Sequence, residues 1–551
     1  SLSCKLDPQY IKNLFFYYFL ITLSILGHTF GMSNNILEID AMQYASMSRE
    51  ILRSENFLFL FDNGKPYLDK PPLIFWVTSL VFKFFGASNF TFRLPSLIFS
   101  IMTIYSTYQF ANIFYSKRIA ISSALILSSC ITWIIINGDV RTDIYMIGPM
   151  MLGIWKIIDY FEFKKRSSMI LGAIAIAFAM MGKGPLGLVI PVLILSINLI
   201  YRAEINKILD KEIFLGLFFF SITLLPMSIG LYRQFGLNGI EFFYWTQSFG
   251  RITGSSSWSN NTGSFYLFNV FLYSFLPWTF LFLEAFIIKT KQIFSYEKPI
   301  EIISYSGFII PLIILSFSNY KLPHYIYCVM PFASVLTAIR LDSLLKSLKF
   351  KKVYYLQLFL ISTLSILIFI VAFLLNPKIN IVFLLLLLAL FVLFVLSLRM
   401  QNNFYKFFTS HIIGGLILSL NINIGIFLPL LSFQSESEAA NFIKKKSGEG
   451  SSIILYKEKE GAKSRSFNFY LNSETQYITT MEKLKKELKN NKSFIFTNEA
   501  GYQEILQNFK EIYLLKDFEH YRISKITAKF INNNTRNSTL QKKYLLQVGK
   551  V

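Results

Sequence analysis

Residues 379–397 read INIVFLLLLLALFVLFVLS. The run carries no charged residue, and about 20 apolar residues cross the ~30 Å hydrocarbon core of a bilayer as an α-helix. Working outward, apolar stretches of spanning length recur at 13–32, 92–114, 118–136, 143–161, 168–182, 184–201, 212–232, 265–287, 300–317, 324–341, 353–375 and 406–430. Thirteen candidate spans result, of which 168–182 and 184–201 are short enough to tilt or re-enter. The composition agrees: of 551 residues 53% are hydrophobic, 17% aromatic and only 16% charged, where a soluble chain carries about 25% charged residues. The predicted fold is mainly α, a polytopic membrane protein.

Three cysteines, Cys4, Cys130 and Cys328, have no paired spacing, which excludes a zinc ribbon and a disulfide framework. The net charge of +22 does not come with interleaved basic and aromatic residues on a polar surface, so membrane lipid rather than nucleic acid is the expected partner. Basic residues sit in every second connection: Lys5 and Lys12, Lys117 and Arg118, Lys164 to Arg166, Arg202 to Lys211, Lys289 to Lys298, Lys346 to Lys352, and Arg399 with Lys406. Such connections are cytoplasmic, which predicts a cytoplasmic N-terminus and an outer C-terminus. The first apolar run lacks a small-residue cleavage site and reads as a signal anchor.

Two outer connections are long, at about 33–91 and 233–264. In the first, Asp40 to Arg53 repeats apolar residues with helical period, with Arg49, Glu50 and Arg53 opposite, which predicts a helix lying flat on the membrane surface. Leu73 to Phe85 is too short to span and predicts a second interfacial helix. From Gln434 the chain turns to Lys, Glu, Asn and Ser. β-like runs at Ile453–Tyr456, Phe467–Leu471, Phe494–Phe496 and Ile512–Leu515, with helix-like Met481–Leu488 behind a Thr480 cap and Gln503–Phe509, predict a small soluble α/β domain over 434–551. It has no glycine-rich phosphate loop and no catalytic cluster, and reads as a structural or docking appendage to the membrane domain, 1–433.

Charged side chains at membrane depth cost several kcal/mol unless paired or solvated, so those bordering spans are functional candidates. On the outer face these are Asp40, Asp69, Lys70, Arg93, Asp139, Arg141, Asp143, Lys183, Arg251 and Lys321. Lysines and arginines can hold a lipid phosphate and neutralise it as it leaves, and a carboxylate can orient or deprotonate an acceptor. Blander roles compete: Asp40 as a helix cap, the lysines as snorkelling side chains, Arg93 and Arg141 as anchors. His324 reads as a hydrogen-bonded interfacial residue, not a metal ligand.

The run Asp40-Ala41-Met42-Gln43-Tyr44-Ala45 with Ser48-Arg49-Glu50, then Tyr67-Leu68-Asp69-Lys70-Pro71-Pro72-Leu73 with Trp76, Phe85-Gly86 and Arg93-Leu94-Pro95-Ser96, resembles the first outer loop of the ArnT/protein-mannosyltransferase-like (PMT-like) family of membrane glycosyltransferases. Arg141-Thr142-Asp143, Lys183-Gly184-Pro185, Phe242-Phe243-Tyr244 with Arg251, Leu276-Pro277-Trp278 and Lys321-Leu322-Pro323-His324-Tyr325 follow in order. The resemblance implies a GT-C fold, with its cavity on the outer face of a bacterial inner membrane and its C-terminal domain in the periplasm. It also implies transfer of a sugar, hexose or pentose, from a polyprenyl-phosphate donor such as undecaprenyl phosphate to a lipid (lipid A-like), glycan or protein acceptor. On it, Asp40 and Asp143 are the catalytic acidic positions, Lys70 and Arg251 hold donor phosphate, and Tyr325 is a tyrosine of the mobile loop near it. Lys183 and Lys321 join the phosphate-binding set, and Asp69, Tyr44 and Arg141 support the cavity.

The chain departs from the aminoarabinose transferases of that family, which carry Glu, Arg and Glu where it has Ala41, Gln43 and Asp69, and Glu-His where it has Gln247 and Ser248. Without that histidine a bound zinc is not predicted, and neither a cofactor nor a divalent metal is required. Asp40 would position a phosphate acceptor or act as base toward a hydroxyl, with direct inverting displacement as the simplest scheme. The rival class is a flippase or transporter of a lipid-linked glycan, whose usual internal repeats are not seen.

Overall fold

The structure, a computed structural model, describes residues 8–247, 250, 260, 262–295, 299–377, 380–458, 462–490 and 493–548. Each apolar run falls on a helix or a broken pair of helices. The first six are α1 (Pro8–Gly27), α4 (Asn89–Phe114), α5 (Lys117–Ser129) with α6 (Ile131–Ile135), α7 (Thr142–Phe163), α8 (Arg166–Lys183) and α9 (Leu186–Tyr201), and α10 (Lys211–Phe235) follows. The run at 265–287 splits into Tyr266–Ser274 and Thr279–Ile293 about Pro277. The run at 406–430 passes from α-helix, Asn403–Leu420, through a π segment, Asn421–Phe427. Among the described residues five helices are long and apolar enough to cross a membrane: Arg166–Lys183, Lys211–Phe235, Pro323–Leu345, Phe350–Leu375 and Asn403–Leu431.

Burial separates two kinds of apolar helix. α7 is buried along most of its length, packed against α4 and α8. The helix Ile381–Ser397, within the run quoted first, buries only Phe383 and Ser397. An all-round apolar helix with its sides bare belongs in lipid.

α2 (Asp40–Ser54) and α3 (Leu73–Phe85) fall where helical period and length place them. Between them β1 (Phe61–Asp62) pairs antiparallel with β2 (Lys65–Pro66). α2 does not lie bare on a membrane surface. It is held between α3 and the helix Ala462–Leu471, and Arg49, expected on a wet face, is 7% exposed. Its guanidinium donates to the Phe469 carbonyl and to Glu449. Asp40 opens α2 without capping it: no side-chain cap bond is present at that end.

The C-terminal part builds a five-stranded sheet among the described residues: β3 (Ile453–Tyr456), β4 (Thr475–Ile478), β5 (Phe494–Asn498), β6 (Ile512–His520) and β7 (Gln541–Val548) in the order β4-β3-β5-β7-β6. β3 pairs parallel with β4 and β5, and β7 pairs antiparallel with β5 and β6. Alternation along the strands covers both faces. Ile453, Leu455, Phe494 and Phe496 join the large core with Phe467 and Phe469, whereas Ile454, Tyr456 and Ile495 pack with Leu484 and Ile505. The expected strand Phe467–Leu471 is instead the end of the helix Ala462–Leu471. Packing on α2 and on the helix Ser435–Ser447 overrides the β propensity of its aromatics.

Arg93 fixes the loop leading to α2. It is 1% exposed on α4 and donates to the carbonyls of Met32, Asn34, Asn35 and Asn89 at 3.1, 2.6, 2.9 and 3.2 Å. Arg93→Met would leave several buried carbonyls unpaired, at a cost of about 3 kcal/mol or more. Thermal unfolding of the solubilised protein should show a clear loss of stability, and wild-type melting would remove this anchor from the account.

Candidate active site

A cavity of about 170 Å³ lies where α2, the loop before α3, and the ends of α7 and α8 meet. Asp40, Gln43, Tyr44, Asp69, Lys70, Lys183, Gln247, His324 and Tyr325 line it. Lys70 and Pro71 also border a narrow, mainly apolar furrow with Leu58, Leu60, Trp76, Met227, Leu231 and Phe243, so one ammonium group serves both spaces.

Local structure explains how these side chains converge. Asp143 falls in the first turn of α7 and Lys183 in the last turn of α8, where the helix dipoles favour their charges. α8 comes close because Gly182 has no side chain: a Cβ there would lie 2.5 Å from the Tyr145 carbonyl of α7. α8 then ends at Gly184, at φ +91°. Pro71 and Pro72 follow Lys70, and Pro72, at φ −79° and ψ −17°, leads directly into α3.

Each cation is matched to a carboxylate. Arg141, just before α7, donates to Asp40 Oδ2, and its Nε reaches Asp139 Oδ2 at 2.9 Å. Lys183 donates to Asp143 Oδ1 and lies 4.2 Å above the Tyr325 ring, a cation–π contact. Lys70 pairs with Asp69 at 2.8 Å. Gln247 donates to the Asp69 carbonyl, and His324 Nε2 stands 3.7 Å from Asp143 Oδ2, beyond hydrogen-bond distance. Burial works against the charge of Arg141, but Asp139 and then Asp40 outweigh it and hold its pKa above the ordinary value. The same burial pushes the Asp139 carboxyl up, against the pull of Arg141.

The expected site residues separate into wall and support. Asp40, Tyr44, Asp69, Lys70, Lys183 and Tyr325 border the cavity. Asp143 is 1% exposed and stands behind Lys183, so in this geometry it reaches the cavity through Lys183 and not directly. Arg141 stands behind Asp40 in the same way. Lys321 does not border the cavity, because its ammonium donates to the Thr262 carbonyl at 3.2 Å while its backbone is bonded to Asn260. Arg251 and Ser248 lie outside the described residues. Among the described residues no three His, Cys, Asp or Glu side chains gather closely enough to hold a metal ion.

A family model described as Dolichyl-phosphate-mannose-protein mannosyltransferase matches residues 69–229, which include Lys70, Asp143 and Lys183. A protein of Aquifex aeolicus (strain VF5) is 29% identical over 326 residues, 59% of this chain and 62% of its own. An undecaprenyl phosphate-alpha-4-amino-4-deoxy-L-arabinose arabinosyl transferase of Wigglesworthia glossinidia brevipalpis is 27% identical over 314 residues, 55% of this chain and 54% of its own. Among solved structures, ArnT from Cupriavidus metallidurans in the apo state aligns over 98% of both chains with a TM-score of 0.72 and 16% identity. Its complex with undecaprenyl phosphate aligns over 97% of both at the same TM-score and identity. The chain resembles the ArnT/PMT-like proteins. At that identity the solved structures establish the shared fold, and the sequence matches span between about half and two thirds of these curated relatives.

Two residues behind the cavity wall, Asp62 and Arg465, escape a reading of the sequence. Asp62 accepts from Gln43 at 2.7 Å and from Arg465 at 2.7 Å. No local pattern signals a contact between residues 62 and 465.

The Asp143–Lys183 pair is largely desolvated, with side chains 2% and 17% exposed. Asp143→Asn alone should destabilise the protein by about 3–5 kcal/mol, because it leaves a buried charge uncompensated. The double variant Asp143→Asn with Lys183→Met should recover much of that loss. A double-mutant cycle by chemical denaturation reads the difference, and simple additivity would show that the pair is not coupled.

Proposed function

We propose that the chain is a glycosyltransferase that moves a sugar, hexose or pentose, from a polyprenyl-phosphate donor to a lipid (lipid A-like), glycan or protein acceptor. The reading sets it in the bacterial inner membrane through about thirteen spans, with the N-terminus cytoplasmic. Residues 1–433 form the membrane domain, and 434–551 the periplasmic α/β domain.

One observation carries this reading. A carboxylate, Asp40, and an ammonium group, Lys70, border one cavity, and Lys70 also borders an apolar furrow. That is the requirement of a substrate with a greasy tail, a phosphate and a reacting sugar. The tail follows the furrow, the phosphate meets Lys70 and Lys183, and the sugar projects toward Asp40. The family match and the undecaprenyl phosphate bound to the C. metallidurans protein point to the same donor class.

The cavity residues divide the chemistry. Arg141 occupies Oδ2 of Asp40 and leaves Oδ1 for the acceptor. The acceptor oxygen bonds to the anomeric carbon as the sugar–phosphate C–O bond breaks, and the electron pair leaves with the polyprenyl phosphate. Lys70 and Lys183 stabilise the charge that grows on that phosphate. Asp143 holds Lys183 in place, and Tyr325 packs beneath it.

Purified protein given labelled polyprenyl-phosphate sugars and a membrane lipid extract should form a labelled product. Asp40→Asn should lower the rate about 10²–10⁴-fold and Lys70→Ala about 10²–10³-fold. If no donor of a broad panel yields product, while labelled donor crosses a bilayer only when the protein is present, a flippase replaces the transferase.

A further inference from the structure

Asp62 sits on β1, in the connection between α2 and α3, and three donors meet its carboxylate. Gln43 Nε2 and Arg465 Nη2 each lie 2.7 Å from Oδ2, and Arg465 Nε lies 3.3 Å from Oδ1. The Arg465 and Asp62 side chains are 13% and 15% exposed, so solvent screens the pair little. The neighbouring Asn468 donates to Asn63, so the helix Ala462–Leu471 is pinned to this connection at two points.

A carboxylate has no proton to give. Gln43 must therefore turn its NH2 to Asp62, and its carbonyl oxygen Oε1 turns away from it. Gln43 follows Asp40 by three residues on α2, which puts both on one helix face, and both border the cavity. Beside Asp40 the wall thus offers a neutral hydrogen-bond acceptor. The nearby cations are already committed, Arg141 to Asp40 and Asp139 and Arg465 to Asp62. Lys70 and Lys183 are assigned to the donor's phosphate in the transferase reading, on which this inference rests. Among the described residues lining the cavity there is no further Lys or Arg for a second phosphate, which would also face the charge of Asp40.

We propose that Gln43, held by the Arg465–Asp62 pair, selects an acceptor hydroxyl over an acceptor phosphate. The reacting hydroxyl gives its proton to Asp40 Oδ1 as its oxygen bonds to the anomeric carbon, and the electron pair of the broken C–O bond leaves on the polyprenyl phosphate. Gln43 Oε1 accepts from a second donor of the same acceptor and fixes its approach. Arg465 is a positioning residue, since it acts on the cavity only through Asp62 and Gln43.

The test is the linkage made by the full-length protein from a labelled polyprenyl-phosphate sugar and total membrane extract. The labelled product should survive mild acid, which hydrolyses a glycosyl phosphodiester and leaves an O-glycoside intact. Gln43→Leu should raise the apparent KM for extract about tenfold, the effect of one lost hydrogen bond, with the donor KM unchanged. Arg465→Ala should move the same constant in the same direction, and Arg465→Lys should restore part of it. An acid-labile product, or variants that raise both KM values alike, would overturn the hydroxyl preference and leave the transferase standing. No product from any donor would overturn both.

Discussion

Arg141 lies between Asp40 and Asp139, and the rest of the site depends on that placement. A guanidinium withdrawn from water is tolerable only with partners, and a carboxylate beside it is fixed in return. Here one oxygen of Asp40 is occupied and the side chain is still 41% exposed. The result is an anchored carboxylate with one oxygen available to a ligand. The same rule orders the other charges, with Lys183 on Asp143 and Lys70 on Asp69. Both lysines border the cavity, Lys183 held by its buried partner and Lys70 facing the apolar furrow as well.

The cavity wall is assembled from distant parts of the chain. α2 carries Asp40, but its approach is held by Arg93 from below and by the C-terminal part from above. Gln434 bonds the Ile36 carbonyl at 2.9 Å and the Glu38 amide at 2.7 Å, and Glu438 accepts from Asn35 at 2.7 Å. Arg49 and Asp62 complete the clamp through Glu449 and Arg465. The C-terminal part, through Gln434, its helices and Glu449, is therefore part of what positions the cavity, although none of its described residues lines the cavity.

Hydrophobic length and period made the helices legible, because lipid demands uninterrupted apolar runs and an interfacial helix keeps a 3.6-residue repeat. Breaks inside those runs, as at Cys130 and Pro277, are not a matter of hydropathy and were not visible in it. Asp40, Lys70 and Lys183 stood out because charge at a membrane boundary needs a reason. Asp143 stood out for the same cause, and only the structure separates it from the wall it supports. The strands β4 and β7 carry mixed polar sequences, and the Phe467–Leu471 segment is helical through contacts that sequence periodicity does not encode. The Gln43–Asp62–Arg465 chain was hidden most deeply, since it joins residues separated by most of the molecule.

The central claim is that one phosphate site at Lys70 links a lipid furrow to the Asp40 cavity. A cryo-EM map of the protein in nanodiscs with undecaprenyl phosphate tests it most directly. The account predicts phosphate density within about 3 Å of Lys70 Nζ, charge-assisted hydrogen-bond distance, with the tail running between Trp76 and Leu231. Density for the phosphate away from Lys70, or a tail that avoids the furrow, would contradict it.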